Sequence, residues 1–229
     1  MKVRDDILAL KDEVIQHRRW LHQHPEIGFD VVKTRDYILD VLSKLDFDEV
    51  DILANTGIKA VIKGKNSKAV YAFRADMDAL SMEEKTGLDY ASRFKGKMHA
   101  CGHDGHMSIL LGLAKWLHMN KQELEHDVVL IFQPAEESEG GALPMIREGV
   151  LESPKVDAIF GLHLFPDIPQ GKIGLKSGPL MAQTCEFDVH IKGKSAHGAM
   201  PHRGVDALLA ACNFITNLQT IITRKIDPL

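Results

Sequence analysis

Val128-Val129-Leu130-Ile131-Phe132-Gln133-Pro134-Ala135-Glu136-Glu137 sets five apolar residues in a row, stops at a proline and closes on two adjacent carboxylates. An apolar run of this length, ended by a turn signal, reads as a strand buried on both faces. Val156 to Leu164 repeats the pattern and ends around His163. Before and between these strands the period becomes helical. Met107 to Met119 is mostly apolar with Gly112 and Ala114 inside it, and Ala142 to Leu151 reads as a further helix. Upstream, Ile7, Leu8, Leu10, Val14, Ile15 and Leu21 recur at helical spacing over Asp5 to His22, and His24-Pro25 stops that helix. Thr34 to Leu45 is a second helix. Ile58 to Ile62 and Ala69 to Phe73 are short strands, and Lys63-Gly64-Lys65-Asn66 between them predicts a hairpin-like connection. Helices alternating with doubly buried strands predict a layered α/β sheet covered on both sides. In such sheets ligands gather beyond the C-terminal strand ends, where Glu136, Glu137 and His163 are expected.

Composition suits this fold and excludes several functions. A chain of 229 residues with 45% hydrophobic and 26% charged side chains buries a full-sized core and is neither disordered nor fibrous. A net charge of -4 and a pI near 6.3 leave no basic footprint for nucleic acid. No apolar run approaches the ~18 residues of a membrane span. Met1 to Leu10 is charged and amphipathic rather than a signal peptide, so a cytoplasmic protein is expected. Cys101 stands among histidines, whereas Cys185 and Cys212 fall in segments that also carry apolar residues and read as core residues. That pattern fits a reducing compartment better than a disulfide framework.

His99, Cys101, His103 and His106 fall within one short run, and thiolate, imidazole and carboxylate are the donors that borderline divalent metals accept. The spacing of Cys101 and His103 lets a loop leading into the Met107 helix aim both at one metal. An ion takes about four to six ligands, so His99 and His106 are better placed beside the ligands, orienting them or carrying protons. An isolated Glu-Glu pair is usually a solvated loop, and a lone histidine such as His163 is usually a satisfied core residue. Their places at strand ends make them candidates. Adjacent residues of an extended segment point to opposite sides, so one of Glu136 and Glu137 can bind metal while the other reaches its water. Asp76 and Asp78, in Phe73-Arg74-Ala75-Asp76-Met77-Asp78, end another strand and either anchor a ligand imidazole or shape a turn.

Near Gly178-Pro179 the pattern changes. Thr184 to Ile191 alternates as a strand with one wet face, and Val205 to Ile222 is a helix rich in Leu, Ala and Ile. A catalytic domain over 1–180 is therefore expected, followed in 181–229 by the first part of an α+β unit. The loop Ser195-Ala196-His197-Gly198-Ala199-Met200-Pro201-His202 carries two histidines between its elements.

Six segments, in order along the chain, together resemble the metallopeptidase-related amidohydrolase family that includes hippurate hydrolase, N-acyl-L-amino-acid amidohydrolases and plant auxin-conjugate hydrolases. They are Arg18-Arg19 with His24-Pro25-Glu26, Arg74 to Leu80, Met98 to His106, Gln133 to Glu137, Gly161 to His163, and Gly193 to His202. The resemblance implies an aminopeptidase-like α/β/α catalytic domain holding two divalent metal ions, which zinc, manganese, cobalt or nickel would suit. A smaller α+β lid and dimerisation domain would interrupt it. The resemblance also implies that Cys101 bridges the metals, that His103 and His163 complete one ion's protein ligands, and that Glu137 serves the other. Glu136 would be the catalytic base, and His197 would reach the reacting carbonyl across a homodimer. The implied reaction cleaves the amide bond of small N-acyl amino acids, hippurate-like or N-acetyl, with an N-acetyl-diaminopimelate-type deacetylase as the specific alternative. Neither nucleic acid nor membrane is an implied partner. The family draws a last metal-binding histidine from a C-terminal segment that has no match here, so a fragment of a longer protein is expected. Two other readings stand beside this one. Cys101 with a neighbouring histidine would serve a metal-free thiol hydrolase, and a closed site would serve a non-catalytic metal-binding protein. The first leaves Glu136, Glu137 and His163 without a role, and the second leaves a spare carboxylate.

Overall fold

The run that opens the sequence argument becomes β4 (Asp127–Gln133), the middle strand of a five-stranded sheet in a computed structural model that describes residues 3–181 and 187–224. The other strands are β1 (Glu49–Leu53), β2 (Gly57–Ile62), β3 (Val70–Asp76) and β5 (Ala158–Gly161), in the order β1-β2-β4-β3-β5. β2 runs antiparallel to both β1 and β4, while β3 runs parallel to both β4 and β5. The hairpin expected between β2 and β3 is therefore absent, because β4 lies between them. Apolar on both faces and free on both edges, β4 takes a partner on each side. The turn at Lys63 to Asn66 instead lies beside the start of β4, with the Gly64 amide donating to Asp127 Oδ1 at 2.9 Å. The true hairpin is β1 to β2, a pairing that the exposed, alternating β1 does not announce.

Helices cover both faces. The expected first helix is broken at Ala9-Leu10 into α1 (Asp5–Leu8) and α2 (Lys11–Gln23), and α3 (Val32–Leu42) follows. α2 and α3 pack with α4 (His103–Met119), which lies on β3 and β4. Leu21, Ile38, Leu42, Met107, Leu111, Leu130 and Phe132 fill this side, each burial contributing roughly 1.5–3 kcal/mol. The opposite face buries Val61, Val129 and Ile131 against Met145 of α5 (Ala142–Arg147) and Val150. β5 departs from expectation in being shorter and open to solvent: Ile159 and Phe160 are 52% and 50% exposed. It is the edge strand, paired with β3 alone among the described residues.

The chain divides into two compact units, Met1–Asp167 and Ile168–Leu229. Within the second, a bridge between Lys194 and Val205 closes the histidine loop, and α6 (Ala207–Arg224) lies where the sequence places its last helix. The strand expected over Thr184 to Ile191 is not formed at 187–191, while 184–186, including Cys185, lie outside the described residues. Cys212 is exposed rather than a core residue. No helix among the described residues is long and apolar enough to cross a membrane.

Candidate metal centre

Four chain segments converge where β3, β4 and β5 end and α4 begins. Gly102, at φ 88, takes the left-handed conformation that suits glycine and turns the preceding loop into α4. The helix starts at His103, four residues earlier than expected, so the cluster is split. His99 and Cys101 belong to the loop, while His103 and His106 stand in the first turn of α4, three apart and so on one face.

His103 sits at the centre. Its Nδ1–H donates to the Asp78 carbonyl at 2.7 Å, which leaves the lone pair on Nε2. That nitrogen is buried and has no hydrogen-bond partner, yet it faces Asp76 Oδ1 at 3.6 Å, Glu137 Oε1 at 3.7 Å and Glu136 Oε2 at 3.8 Å. A lone pair held against three carboxylates is repulsive unless positive charge lies between them. Burial opposes charging His103, but the bond to Asp78 and the charge of Asp76 outweigh it and raise its pKa. The same field that draws a proton to Nε2 would draw a metal ion.

Two sets of donors share this histidine. Cys101, His103 and His163 have ligand atoms within 4.8 Å of one another, and so do His103, Glu136 and Glu137. His163 donates from Nδ1 to the Leu164 carbonyl at 2.8 Å, and its Nε2 lies 3.4 Å from Cys101 Sγ. Burial, then Glu137 and Glu136, push the Cys101 thiol up to about 12. A thiolate here therefore needs a cation beside it, which fits a metal ligand and disfavours the metal-free thiol nucleophile. Asp76, His103 and His106 form a third such group. His106 is not available to it, since Nδ1 is bonded to Asp76 Oδ1 at 2.6 Å and Nε2 accepts the Leu164 amide at 2.9 Å.

Glu136 and Glu137 do not diverge as an extended pair would. Ala135, at φ 52, turns the chain, and the amides of Glu136 and Glu137 donate to Asp78 Oδ1 and Oδ2 at 2.9 and 3.0 Å. Both side chains then reach the same histidine. Burial and the neighbouring Glu137 raise the Glu136 carboxyl above its usual range, as suits a proton carrier near neutral pH. Asp78 thus serves His103 through its carbonyl and the two glutamates through its carboxylate.

Some assignments change. His99 orients no ligand among the described residues: both its nitrogens are buried without partners, and burial pushes its pKa down to about 4. An ion-pair network at the start of α4 joins Arg18 and Asp104, both in the quoted segments, to His22 and Glu84, which lie outside them. Asp104 Oδ2 bonds His22 Nδ1 at 2.9 Å and accepts from Arg18 Nε at 3.2 Å, and His22 Nε2 meets Glu84 at 3.2 Å. His197 belongs to the second unit, where its Nδ1 accepts the Ala199 amide at 3.2 Å.

A mixed sheet whose strand ends gather thiol, imidazole and carboxylate donors defines a candidate two-metal site on an α/β scaffold. The chain belongs to peptidase family M20/M25/M40, whose model matches residues 72–224. It is 45% identical over 219 residues to an N-acetyldiaminopimelate deacetylase of Bacillus subtilis, covering 95% of this chain and 58% of the relative. An N-acetyl-L-cysteine deacetylase of the same organism is 44% identical over 237 residues, covering 98% and 56%. The chain therefore spans a little over half the length of these relatives. A crystal structure described as a dinuclear metal binding peptidase from Bacillus subtilis superposes with a TM-score of 0.72 at 45% identity, covering 76% of this chain and 49% of that one.

Proposed function

We propose that this chain carries the metal-binding catalytic site of an amidohydrolase that deacylates small N-acyl amino acids. The observation that carries the reading is the buried, unpartnered Nε2 of His103 among three carboxylates, beside a thiol and a second imidazole. Cys101, His103, His163 and Glu137 would hold two divalent ions. Zinc, manganese, cobalt and nickel all suit these donors. When bound, the ions supply polarisation of the amide carbonyl and acidification of water toward a pKa of ~7. Glu136, the more exposed of the pair, takes the proton of the attacking water and returns it to the leaving amine. Asp78 holds the Glu136 and Glu137 amides, so that acid–base and metal-binding carboxylates keep one geometry through the cycle. His197, in the lid unit of a second copy, would donate a hydrogen bond to the developing oxyanion. The relatives' names favour acetyl as the acyl group, so the finer reading is a deacetylase of the N-acetyl-diaminopimelate type, with hippurate-like substrates as the alternative. We place the enzyme in the cytoplasm.

The test is Glu136→Gln, with metal content and turnover measured on N-acetyl and N-benzoyl amino acids. Metal content should be unchanged, and turnover should fall by on the order of a hundredfold or more. Unchanged hydrolysis would remove Glu136 from the reaction, whereas lost metal would move it among the ligands. Faster cleavage of benzoyl than acetyl substrates by the unaltered protein would favour the hippurate-like alternative.

A further inference from the structure

His106 is the histidine of the 99–106 run whose two ring nitrogens are both engaged, and its bonds lead to the segment that presents His163. The ladder between β5 and β3 ends at Gly161, opposite Arg74. Beyond it Leu162 and Leu164 are 47% and 43% exposed, so packing alone holds this segment weakly. Three contacts nevertheless fix Leu164. Its amide donates to His106 Nε2 at 2.9 Å, and its carbonyl accepts His163 Nδ1–H at 2.8 Å. Its side chain lies against the start of α4, where a Cβ on Gly105 would come within 2.5 Å of Leu164 Cδ1 and one on Gly102 within 3.4 Å. On its other side the His106 ring is anchored by Asp76 Oδ1 at 2.6 Å. Asp76 Oδ2 accepts Arg74 Nη1 at 2.6 Å, and Arg74 Nε donates to Gln133 Oε1 at 3.0 Å. One path of hydrogen bonds thus runs from the His163 segment through α4 and β3 to the end of β4, just before Glu136 and Glu137.

We infer that His106 is the positioning residue for His163. It holds the Leu164 peptide so that His163 spends its Nδ1 proton on the Leu164 carbonyl and turns Nε2 toward Cys101. Binding a metal through His106 itself would cost one of its two bonds, so the arrangement also decides which histidine is the ligand. Gly105 borders the same device: a Cβ there would press on the Leu164 Cδ1 methyl, the free end of a side chain that can turn away. The inference rests on the reading of His163 as a metal ligand.

Competition between the protein and a chromogenic chelator for Zn2+ tests it, on the full chain and on His106→Phe, His106→Asn, His163→Ala and the double variants. His106→Phe should weaken zinc binding by roughly 10- to 100-fold and add nothing in the His163→Ala background. His106→Asn, which keeps a donor for Asp76 but is too short to accept the Leu164 amide, should do the same and carries the test if His106→Phe does not fold. His106→Gln, which restores an acceptor for the Leu164 amide, should recover part of the loss. Full zinc affinity in both His106→Phe and His106→Asn, or losses that multiply with that of His163→Ala, would overturn the inference alone. Intact zinc binding in His163→Ala would overturn the ligand reading and the inference with it.

Discussion

Asp76 shows how much one side chain does here. Burial would push its carboxyl up, but the His106 N–H, Arg74 and His103 reverse that and hold it at about 2, against 3.8 ordinarily. A carboxylate with a depressed folded-state pKa adds stability that is fully present above the unfolded value. That stability is lost as pH falls through the folded value. The window is therefore about pH 4 down to pH 2, and the contribution is up to about 2 kcal/mol. Asp76→Asn should be less stable than the unaltered protein at pH 7, with the gap closing across that window. Urea unfolding midpoints measured from pH 7 to pH 2 check this, and a gap independent of pH would show that Asp76 acts by packing alone. Sequence reasoning places Asp76 and Asp78 beside an imidazole or in a turn. The structure divides these roles unexpectedly: Asp76 anchors His106, and Asp78 reaches His103 through its backbone carbonyl. Every residue has a backbone carbonyl, so no residue pattern reveals that contact. The Arg18, His22 and Glu84 network was equally illegible, because its members stand 62 to 86 positions from their partners.

Among the elements, the loop from Pro134 to Gly141 does most to place Glu136 and Glu137. The Ala135 carbonyl accepts the amides of Gly140 and Gly141 at 2.9 and 3.0 Å, closing the loop on itself. A Cβ at Gly141 would lie 2.0 Å from the Pro134 carbonyl oxygen, so even alanine must open that closure. Gly141→Ala should cost about 1–3 kcal/mol, as overpacking does, and lower Tm by roughly 2–12 °C for a domain of this size. Differential scanning calorimetry measures it, and an unchanged Tm would mean that the loop yields freely. Element boundaries were legible where burial was continuous: β4 extends the apolar run of 128–132 by one residue at each end. They were illegible where periodicity survives a break. Leu10 stays buried across the α1–α2 interruption, so the helical pattern gives no sign that the chain stops and restarts there. The apolar residues of β5 give no sign of its exposure, because apolar residues at a sheet edge look like apolar residues at its centre.

At the scale of the molecule, the donor atoms come from segments following β3, β4 and β5 and from the start of α4, so a bound ion would tie four parts of the fold together. An ion that binds the folded state alone stabilises it by about 2.7 kcal/mol at a concentration 100 times its Kd. Thermal unfolding should therefore shift upward with added Zn2+ and downward after EDTA treatment. A Tm indifferent to both would argue against a metal site of any kind. The position of β4 has a consequence in time as well as in space. Its ladders pair Ile58 with Phe132 and Val70 with Asp127, partners synthesised long before it. The nascent chain thus exposes β2 and β3 with their central neighbour still missing, and then releases five consecutive apolar residues that must find both edges. Such distant pairings form slowly, and an unpaired strand of this kind sticks to its own copies meanwhile. Asp127 and Pro134 flank the run as a charge and a strand breaker, the residue types that restrain such association.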